Sequence, residues 1–259
     1  MAYTWGMAAH WDTHCHLQDP RCAGRVTEVL ERARAAGVER LVCCATREAD
    51  WDRVLDLAAG HPAVLPMLGL HPWFLDDAAP GWEARLETRL ASARAGIGEC
   101  GLDFAPGRPD RQVQEAVFET HLRLARARDL PLSIHCVRAW ALLLEVLKRT
   151  GIPAAGAVVH AYSGSAETAA ELQALGLHLS FAPFTLRPGA RRALLALAAV
   201  AGDRLLFETD MPWGPEGTFD PGQVPALVET AARLRGADPE ALGAQAGRNA
   251  RRVFGRLAA

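Results

Sequence analysis

The chain has 259 residues, of which 50% are hydrophobic and 22% are charged, and its formal net charge is −2. This composition is typical of a globular protein with a large core, and the length suits one α/β barrel or two smaller domains. The near-neutral charge argues against strong, sequence-independent binding of duplex nucleic acid by many basic residues. The net charge does not exclude a pocket that binds the end of one nucleic-acid strand.

Targeting signals and disulfide patterns are not visible in the sequence. The first fifteen residues lack a basic segment followed by a long apolar one, so no secretory signal is predicted. The longest apolar run, Ala193–Ala201, is too short to span a bilayer. The six cysteines form no CxxC pair, which indicates reduced thiols and predicts a cytoplasmic location without a membrane partner.

Short apolar runs alternate with longer segments of helical period along the whole chain. The predicted strands are, in chain order, Trp11–His14, Leu41–Ala45, Val64–Gly69, Ala95–Glu99, Leu132–His135, Ala157–His160, His178–Phe181 and Leu205–Glu208. The predicted helices between them include Arg25–Ala36, Gln112–Arg128, Ala139–Arg149, Ala166–Leu175 and Ala190–Ala199. This alternation implies a mostly parallel sheet, and eight strands favour a closed barrel over an open sheet. Since the first strand is not followed by GxGxxG and no linker is visible, residues 1–259 are predicted to form a single (β/α)8 TIM barrel.

Polar side chains end five of the predicted strands, at the face of a barrel where active sites lie. The first, fourth, fifth, sixth and eighth strands end, respectively, in Asp12-Thr-His14-Cys-His16, Glu99, His135, His160 and Glu208-Thr-Asp210. The separations between these groups are close to whole numbers of strand–helix units of about 30 residues. The spacing therefore predicts that all five groups meet at one end of the barrel.

The residue types in these groups are those that bind metal ions. His14 and His16 lie two residues apart on a strand and face the same side, so Cys15 faces the other side. The same alternation places Glu208 and Asp210 together. Imidazole mixed with carboxylate suits Zn, Mn, Fe or Co, and carboxylate with water suits Mg. A lone histidine is more often a packed core residue, but five buried strand ends with unpaired ligand groups would be costly without metal.

Seven short segments, in order through nearly the whole chain, carry a resemblance to a known family. They are Asp12–Leu17, Gly69–Pro72, Gly98–Asp103, Ile134–His135, His160–Gly164, Glu208–Pro212 and Asn249–Phe254. In these segments the sequence resembles the TatD family of metal-dependent deoxyribonucleases, within the amidohydrolase-like barrels. The resemblance implies a (β/α)8 barrel, in agreement with the strand–helix rhythm.

The resemblance also implies a ligand set for two divalent metal ions, with Mg, Mn and Zn left open. It assigns one ion to His14, His16, Glu99 and Asp210, and the second to Glu99, His135 and His160, so that Glu99 bridges. Four histidines, one glutamate and one aspartate exceed a single tetrahedral site but fit two metals that share a carboxylate.

One departure from the family pattern concerns the substrate. The family commonly has an arginine two residues after the fifth-strand histidine, where this chain has Val137 followed by Arg138. Arg138 is therefore a candidate substrate contact. His71 and Trp73, which follow the third strand, are two more candidates. A hydrogen bond that stabilises the loop is the alternative role for His71, and ordinary packing is the alternative for Trp73.

Other residues predicted on the same face have less specific interpretations. The tryptophans that follow strands 3, 5 and 8 offer rings on which bases could stack, with loop packing as the alternative; they are Trp73, Trp140 and Trp213. Four arginines are placed where phosphates could reach them, and a solvated surface charge is the default for each; they are Arg47, Arg108, Arg111 and Arg187.

These features predict a metal-dependent hydrolase with Glu99 and Asp210 as catalytic residues, in which Asp210 takes a proton from water. The expected substrate is DNA, as single strands or strand ends, and the expected state is a monomer. The alternative is hydrolysis of an amide, ester or lactone in a small-molecule or aminoacyl substrate, because the same activated water serves either bond. A barrel that only binds would be expected to have gaps in the ligand set, and this set has none.

Overall fold

The computed structural model describes residues 9–213 and 220–258. Within these residues eight parallel strands form one sheet whose spatial order follows the chain. The strands are β1 (His10–Cys15), β2 (Val38–Cys44), β3 (Val64–Leu68), β4 (Gly96–Asp103), β5 (Leu132–Val137), β6 (Ala157–Val159), β7 (His178–Phe181) and β8 (Leu205–Phe207). The predicted barrel of alternating strands and helices is confirmed.

Backbone hydrogen bonds between the end of β1 and the segment after β8 close the sheet. His16 N donates to Met211 O at 2.7 Å, and Asp210 N donates to His14 O at 3.0 Å. The Thr13 hydroxyl adds a bond to the carbonyl of Phe207 at 2.9 Å. This closure joins the end of β1 to the segment that follows β8, so residues that are about 200 positions apart in sequence become neighbours.

Helices follow the strands and cover the outside of the barrel. They are α1 (Val26–Ala35), α2 (Trp51–Gly60), α3 (Trp82–Ser92), α4 (Arg111–Arg128), α5 (Trp140–Thr150), α6 (Ala166–Ala174), α7 (Arg191–Ala199), α8 (Val224–Arg235) and α9 (Pro239–Phe254). The carboxylates of Asp110 and Asp238 cap α4 and α9 by accepting backbone N–H bonds in the first turn. Each helix predicted from the sequence lies within one residue of its observed bounds at either end.

The core consists of two layers that the barrel wall separates. The larger layer lies between strands and helices and contains the three cysteines next to the predicted ligands, Cys15, Cys100 and Cys136. The thiols therefore point away from the pocket, as strand alternation predicts. The smaller layer contains barrel residues such as Met67 together with Phe254 at the end of α9.

The end of α9 is fixed at the opposite end of the barrel from the predicted site. The buried Asn249 donates from Nδ2 to the carbonyls of Gly202 and Leu205, at 2.8 and 2.9 Å, where β8 begins. The segment Asn249–Phe254 thus contributes to packing below the strands, which explains its presence among the family-like segments without a role in chemistry.

The buried His121 on α4 is expected to make the stability of the barrel depend on pH. Its Nδ1 donates to Val117 O, its Nε2 accepts from Leu70 N, and its ring stacks on Trp82. Burial lowers the pKa of His121 from 6.5 to about 4. Between these pH values the unfolded chain binds more protons, so the free energy of unfolding falls as pH falls through this window.

Replacing His121 by glutamine, which keeps a donor and an acceptor, is expected to remove this effect. Between pH 7 and pH 5 the wild-type protein should lose about 2 kcal/mol more of its free energy of unfolding than the variant. Denaturant titrations of both proteins at the two pH values measure the difference. Equal losses would show that the imidazole is not held neutral.

Candidate metal centre

The six predicted ligands converge at the carboxyl ends of the strands. All of them except His14 line a pocket of about 240 Å³. Each is at most 8% exposed; they are His14, His16, Glu99, His135, His160 and Asp210. Among the described residues, three overlapping groups have ligand atoms within 4.8 Å of one another: His14–His16–Asp210, His14–Glu99–His160 and His71–Glu99–His135. The structure therefore brings the six predicted residues together and places His71 next to them.

Glu99 lies at the centre of the cluster, with one carboxylate oxygen facing each side. Oε2 is 3.1 Å from His14 Nε2 and 3.4 Å from His16 Nε2. Oε1 is 2.9 Å from His135 Nδ1 and 2.8 Å from His160 Nε2. A carboxylate placed in this way has one oxygen available to each of two cations, which is the arrangement expected of a bridging ligand.

A bulge in β4 directs Glu99 into the barrel. β4 pairs with β5 through Ile97–Leu132 and then Cys100–Ile134, so β4 has one extra residue between these pairs. Gly98 occupies this bulge with φ 149°, and a Cβ there would lie 2.8 Å from the Cβ of Ser133. The sequence predicts that this strand ends at Glu99, whereas its pairing with β5 continues to Asp103.

The histidines on the first strand are held by their outer nitrogens. His16 Nδ1 donates to the carbonyl of Cys44 at 2.8 Å, which leaves Nε2 directed at Glu99 and Asp210. His14 Nδ1 is hydrogen-bonded to the Ser133 hydroxyl at 3.0 Å. In a neutral imidazole that donates through one nitrogen, the other nitrogen has a free lone pair, which is the state that a metal ligand requires.

Two carboxylates hold the other two histidines in the same way, and sequence reasoning assigns a role to neither. His135 Nε2 lies 3.4 Å from Asp103 Oδ2, and His160 Nδ1 lies 3.2 Å from Glu208 Oε1. Such carboxylate–histidine pairs fix the ring orientation and raise the basicity of the ligating nitrogen. Two features of the sequence could have indicated these roles: Glu208 lies two residues before Asp210, and Asp103 lies four residues after Glu99.

Asp210 presents a buried oxygen that a bound cation would satisfy. Its Oδ1 is 3.2 Å from His16 Nε2 and 3.9 Å from His14 Nε2, yet among the described residues it has no hydrogen-bond partner. The neighbouring Thr209 is bound through its backbone and hydroxyl to Asp12, at 2.9 and 2.5 Å, which fixes the turn. A buried carboxylate oxygen beside two imidazole nitrogens fits a divalent cation, because otherwise its desolvation is uncompensated.

The carboxylates and imidazoles of the cluster shift one another's pKa values. Burial alone would raise the pKa of Glu99, but the surrounding imidazoles hold it well below its usual range. Against the effect of burial, the neighbouring carboxylates of Asp210 and Glu99 raise the pKa of His16 to about 9. The pKa of His160 is raised well above its ordinary value by Glu99 and Glu208. A cation that binds here competes with protons on these imidazoles, so its affinity increases with pH.

His71 differs from the other histidines in the direction of its hydrogen bonds. Its Nδ1 accepts from the backbone N–H of Trp73 at 3.1 Å, so in the neutral ring the hydrogen lies on Nε2. Burial lowers the pKa of His71 to about 4, which keeps the ring neutral. Nε2 faces Glu99 Oε1 at 3.2 Å and acts there as a donor. This geometry favours a role for His71 in orienting Glu99 rather than in metal ligation.

A pair of variants distinguishes these roles. His71→Gln is expected to keep the metal content of the wild-type protein, because no ligand nitrogen is lost. His160→Gln is expected to lower metal affinity by more than the ~10–100-fold typical of losing a group that only orients a ligand. Metal analysis after equilibrium dialysis of both variants measures this. Equal metal loss in the two proteins would make His71 a ligand.

The three candidate substrate contacts occupy different positions. His71 and Trp73 line the pocket, and the Trp73 indole N–H donates to Asp103 Oδ2 at 2.5 Å. Arg138 is exposed at the end of β5, with φ 55°, and does not line the pocket. Of the other tryptophans, Trp213 lines the pocket, whereas Trp140 packs against Tyr162 at 5.0 Å between ring centroids.

Comparison with known proteins places this barrel and its ligands in a family. The family model described as TatD related DNase matches residues 11–255. The chain belongs to the TatD family. The match includes all six predicted ligands and every strand except the first residue of β1.

Members of the TatD family from several bacteria align with nearly the whole chain. The Bacillus subtilis protein YabD, an uncharacterized metal-dependent hydrolase, is 30% identical over 94% of this chain and 98% of its own length. The 3'-5' ssDNA/RNA exonuclease TatD of Erwinia tasmaniensis is 32% identical over 94% of this chain and 99% of its own length. The crystal structure of YjjV, a TatD homologue from Escherichia coli, superposes with a TM-score of 0.90 at 29% identity, covering 96% of this chain and 98% of that one.

The helices that surround the barrel are those of a packed outer layer. Among the residues that the structure describes, no helix is both long and apolar enough to cross a bilayer.

Proposed function

We propose that this TatD-family chain is a metal-dependent hydrolase that cleaves phosphodiester bonds in DNA, acting on single strands or strand ends. The observation that carries the proposal is the position of Glu99, whose two oxygens each face a separate set of imidazole nitrogens. The Erwinia tasmaniensis relative named as an exonuclease of single-stranded DNA and RNA supports the choice of substrate. The proposed unit is residues 1–259 as one domain, working as a monomer in the cytoplasm.

The proposed centre holds two divalent cations, with Mg, Mn and Zn as the candidates. His14, His16, Glu99 and Asp210 would hold one, and Glu99, His135 and His160 the other. Bound cations would lower the pKa of a coordinated water and neutralise charge on the phosphoryl oxygens. The two kinds of outer anchor, neutral at β1 and anionic at β5 and β6, support this division into two sites.

Asp210 is proposed as the proton acceptor. Among the described residues its Oδ1 has no hydrogen-bond partner, and the Asp210 side chain lines the pocket. The residue is 8% exposed, which places it among the most exposed of the six ligands. A carboxylate in this position can orient a water molecule and accept its proton, a step typically worth about 10²–10⁴-fold in rate. His71 supports the same chemistry by donating to Glu99, which holds the central carboxylate in place.

The shape of the pocket supports a strand end as the substrate. Trp73 and Trp213 meet edge to face at 5.9 Å between ring centroids, and both line the pocket. Phe74 and Phe184 add apolar lining next to the ligand cluster. A small pocket with aromatic walls fits one terminal nucleotide whose base packs against a ring, and it excludes an intact duplex.

The decisive experiment uses protein stripped of metal and reloaded with Mg, Mn or Zn. Single-stranded DNA labelled at the 3′ or 5′ end is the substrate, and a Glu99→Ala variant is the control. Metal-dependent cleavage that is lost in the variant supports the proposal, and the product ladder identifies the end attacked. Absence of cleavage with every metal, together with turnover of an ester, lactone or amide, would replace it with carbonyl hydrolysis.

A further inference from the structure

Three of the four aromatic rings that line the pocket have an arginine placed on one face. The Cζ atom of each arginine lies over a ring centroid in the pairs Arg21–Trp213 at 4.4 Å, Arg47–Phe74 at 3.8 Å and Arg108–Trp73 at 3.8 Å. We call Arg21, Arg47 and Arg108 the arginine rim. They come from the loops that follow β1, β2 and β4, so the rim extends along one side of the pocket mouth.

The location of these pairs is unusual, although their number is not. A chain of this length is expected to contain about three or four cation–π pairs. The described residues contain four such pairs, of which three involve pocket rings and only Arg111–Phe104 does not. Since only four of the described tryptophan, tyrosine and phenylalanine residues line the pocket, the concentration there calls for an explanation in terms of the site.

A carboxylate lies beside each guanidinium. Asp19 accepts from both Nε and Nη2 of Arg21 at 2.9 Å. Asp77 lies 3.4 Å from Nη1 of Arg47, and Asp103 lies 3.4 Å from Nε of Arg108. A guanidinium that is already oriented by a carboxylate and a ring loses less conformational entropy when it binds an anion.

The rim remains open to solvent and lies close to the metal centre. The exposed fractions of the three side chains are 45% for Arg21, 39% for Arg47 and 30% for Arg108. The guanidinium groups are therefore accessible and are not part of the core. Asp103, which contacts Arg108, also contacts His135, so a single side chain separates the rim from a proposed ligand.

We propose that the arginine rim binds the backbone phosphates of the single strand next to the phosphodiester that is cleaved. This inference rests on the proposed function and specifies how that site recognises a chain of nucleotides rather than one nucleotide. Planar guanidinium groups suit phosphate oxygens, and the rings beneath them suit the adjacent bases.

The test separates binding from catalysis. A triple variant, Arg21→Gln, Arg47→Gln and Arg108→Gln, removes the three charges but keeps side chains long enough to cover the rings. Arg233→Gln is the matched control, since Arg233 is an exposed arginine in the last turn of α8 and neither lines the pocket nor stacks on a pocket ring. Each is placed in an Asp210→Asn background saturated with metal, and binding of a fluorescein-labelled oligothymidylate is measured by anisotropy at several salt concentrations.

The triple variant is expected to raise Kd at low salt by about tenfold or more. The dependence of log Kd on log salt should also become shallower, by about 0.7 for each phosphate that an arginine no longer neutralises. The Arg233 control should retain the Kd of its parent. With Asp210 restored, the triple variant should raise KM for the oligonucleotide by a larger factor than KM for thymidine 5′-p-nitrophenyl phosphate, which has no neighbouring nucleotide.

Several results would overturn the rim as a binding site. These are no binding by the parent, an unchanged Kd in the triple variant, an equal loss in the Arg233 control, or an equal rise in the two KM values, which would mean that the arginines only support the pocket walls. Failure of the wild-type enzyme to cleave any oligonucleotide counts against the proposed function instead. The comparison of Kd values decides the rim independently of cleavage.

Discussion

Replacing Glu99 by glutamine is expected to lower kcat for DNA cleavage by more than about 10³-fold, well beyond the ~10–100-fold cost of changing a group that only orients a ligand. The physical reason is that the carboxylate contacts both halves of the cluster, at 3.1 Å from His14 and 2.8 Å from His160. A neutral amide presents one oxygen and one NH₂ group, so it can no longer offer an anionic oxygen to each of two cations. Metal content per chain, measured after dialysis, should fall together with activity.

The control for this variant is Glu229→Gln, which removes an exposed carboxylate from α8, outside the pocket lining. It should retain both metal content and activity. Far-UV circular dichroism and thermal unfolding would establish that the Glu99 variant still forms the barrel. If that variant kept its metal and full kcat, the proposed bridging role of Glu99 would be wrong.

The Asp210→Asn substitution is expected to lower kcat by about 10²–10⁴-fold, while KM for an oligonucleotide changes much less. Asparagine preserves the shape of the side chain but removes the charge and the ability to accept a proton. The oxygen concerned is 3.2 Å from His16 Nε2 and has no hydrogen-bond partner among the described residues, so the lost function is specific to the pocket. Steady-state kinetics with metal-saturated protein measure kcat and KM separately.

The matched control is Asp203→Asn, on the exposed turn that leads into the other end of β8. It changes the same chemical group at the end of the strand remote from the chemistry, and it should leave both kinetic constants unchanged. A rise in KM without loss of kcat in the Asp210 variant would contradict its role as proton acceptor and make Asp210 a binding group.

The sequence by itself determined the barrel and predicted which polar groups meet at one of its faces, because both depend on periodic features of the chain. Alternating apolar runs and helical segments specify parallel strands, and the carboxyl ends of parallel strands in a barrel lie on one face. Residues that end strands 1, 4, 5, 6 and 8 must therefore meet, even when, like His14 and Asp210, they are far apart in the chain. The same alternation predicts that Cys15 points away from the site.

Only the tertiary structure decided which atom of each residue faces the centre. The split of Glu99 between two sets of nitrogens depends on a bulge that changes the strand register, and local sequence does not specify register. The roles of Asp103 and Glu208 depend on contacts with histidines on other strands. The distinction of His71 from the ligands requires the direction of one backbone hydrogen bond. Such contacts join residues distant in sequence, and they exist only once the barrel has closed and packed.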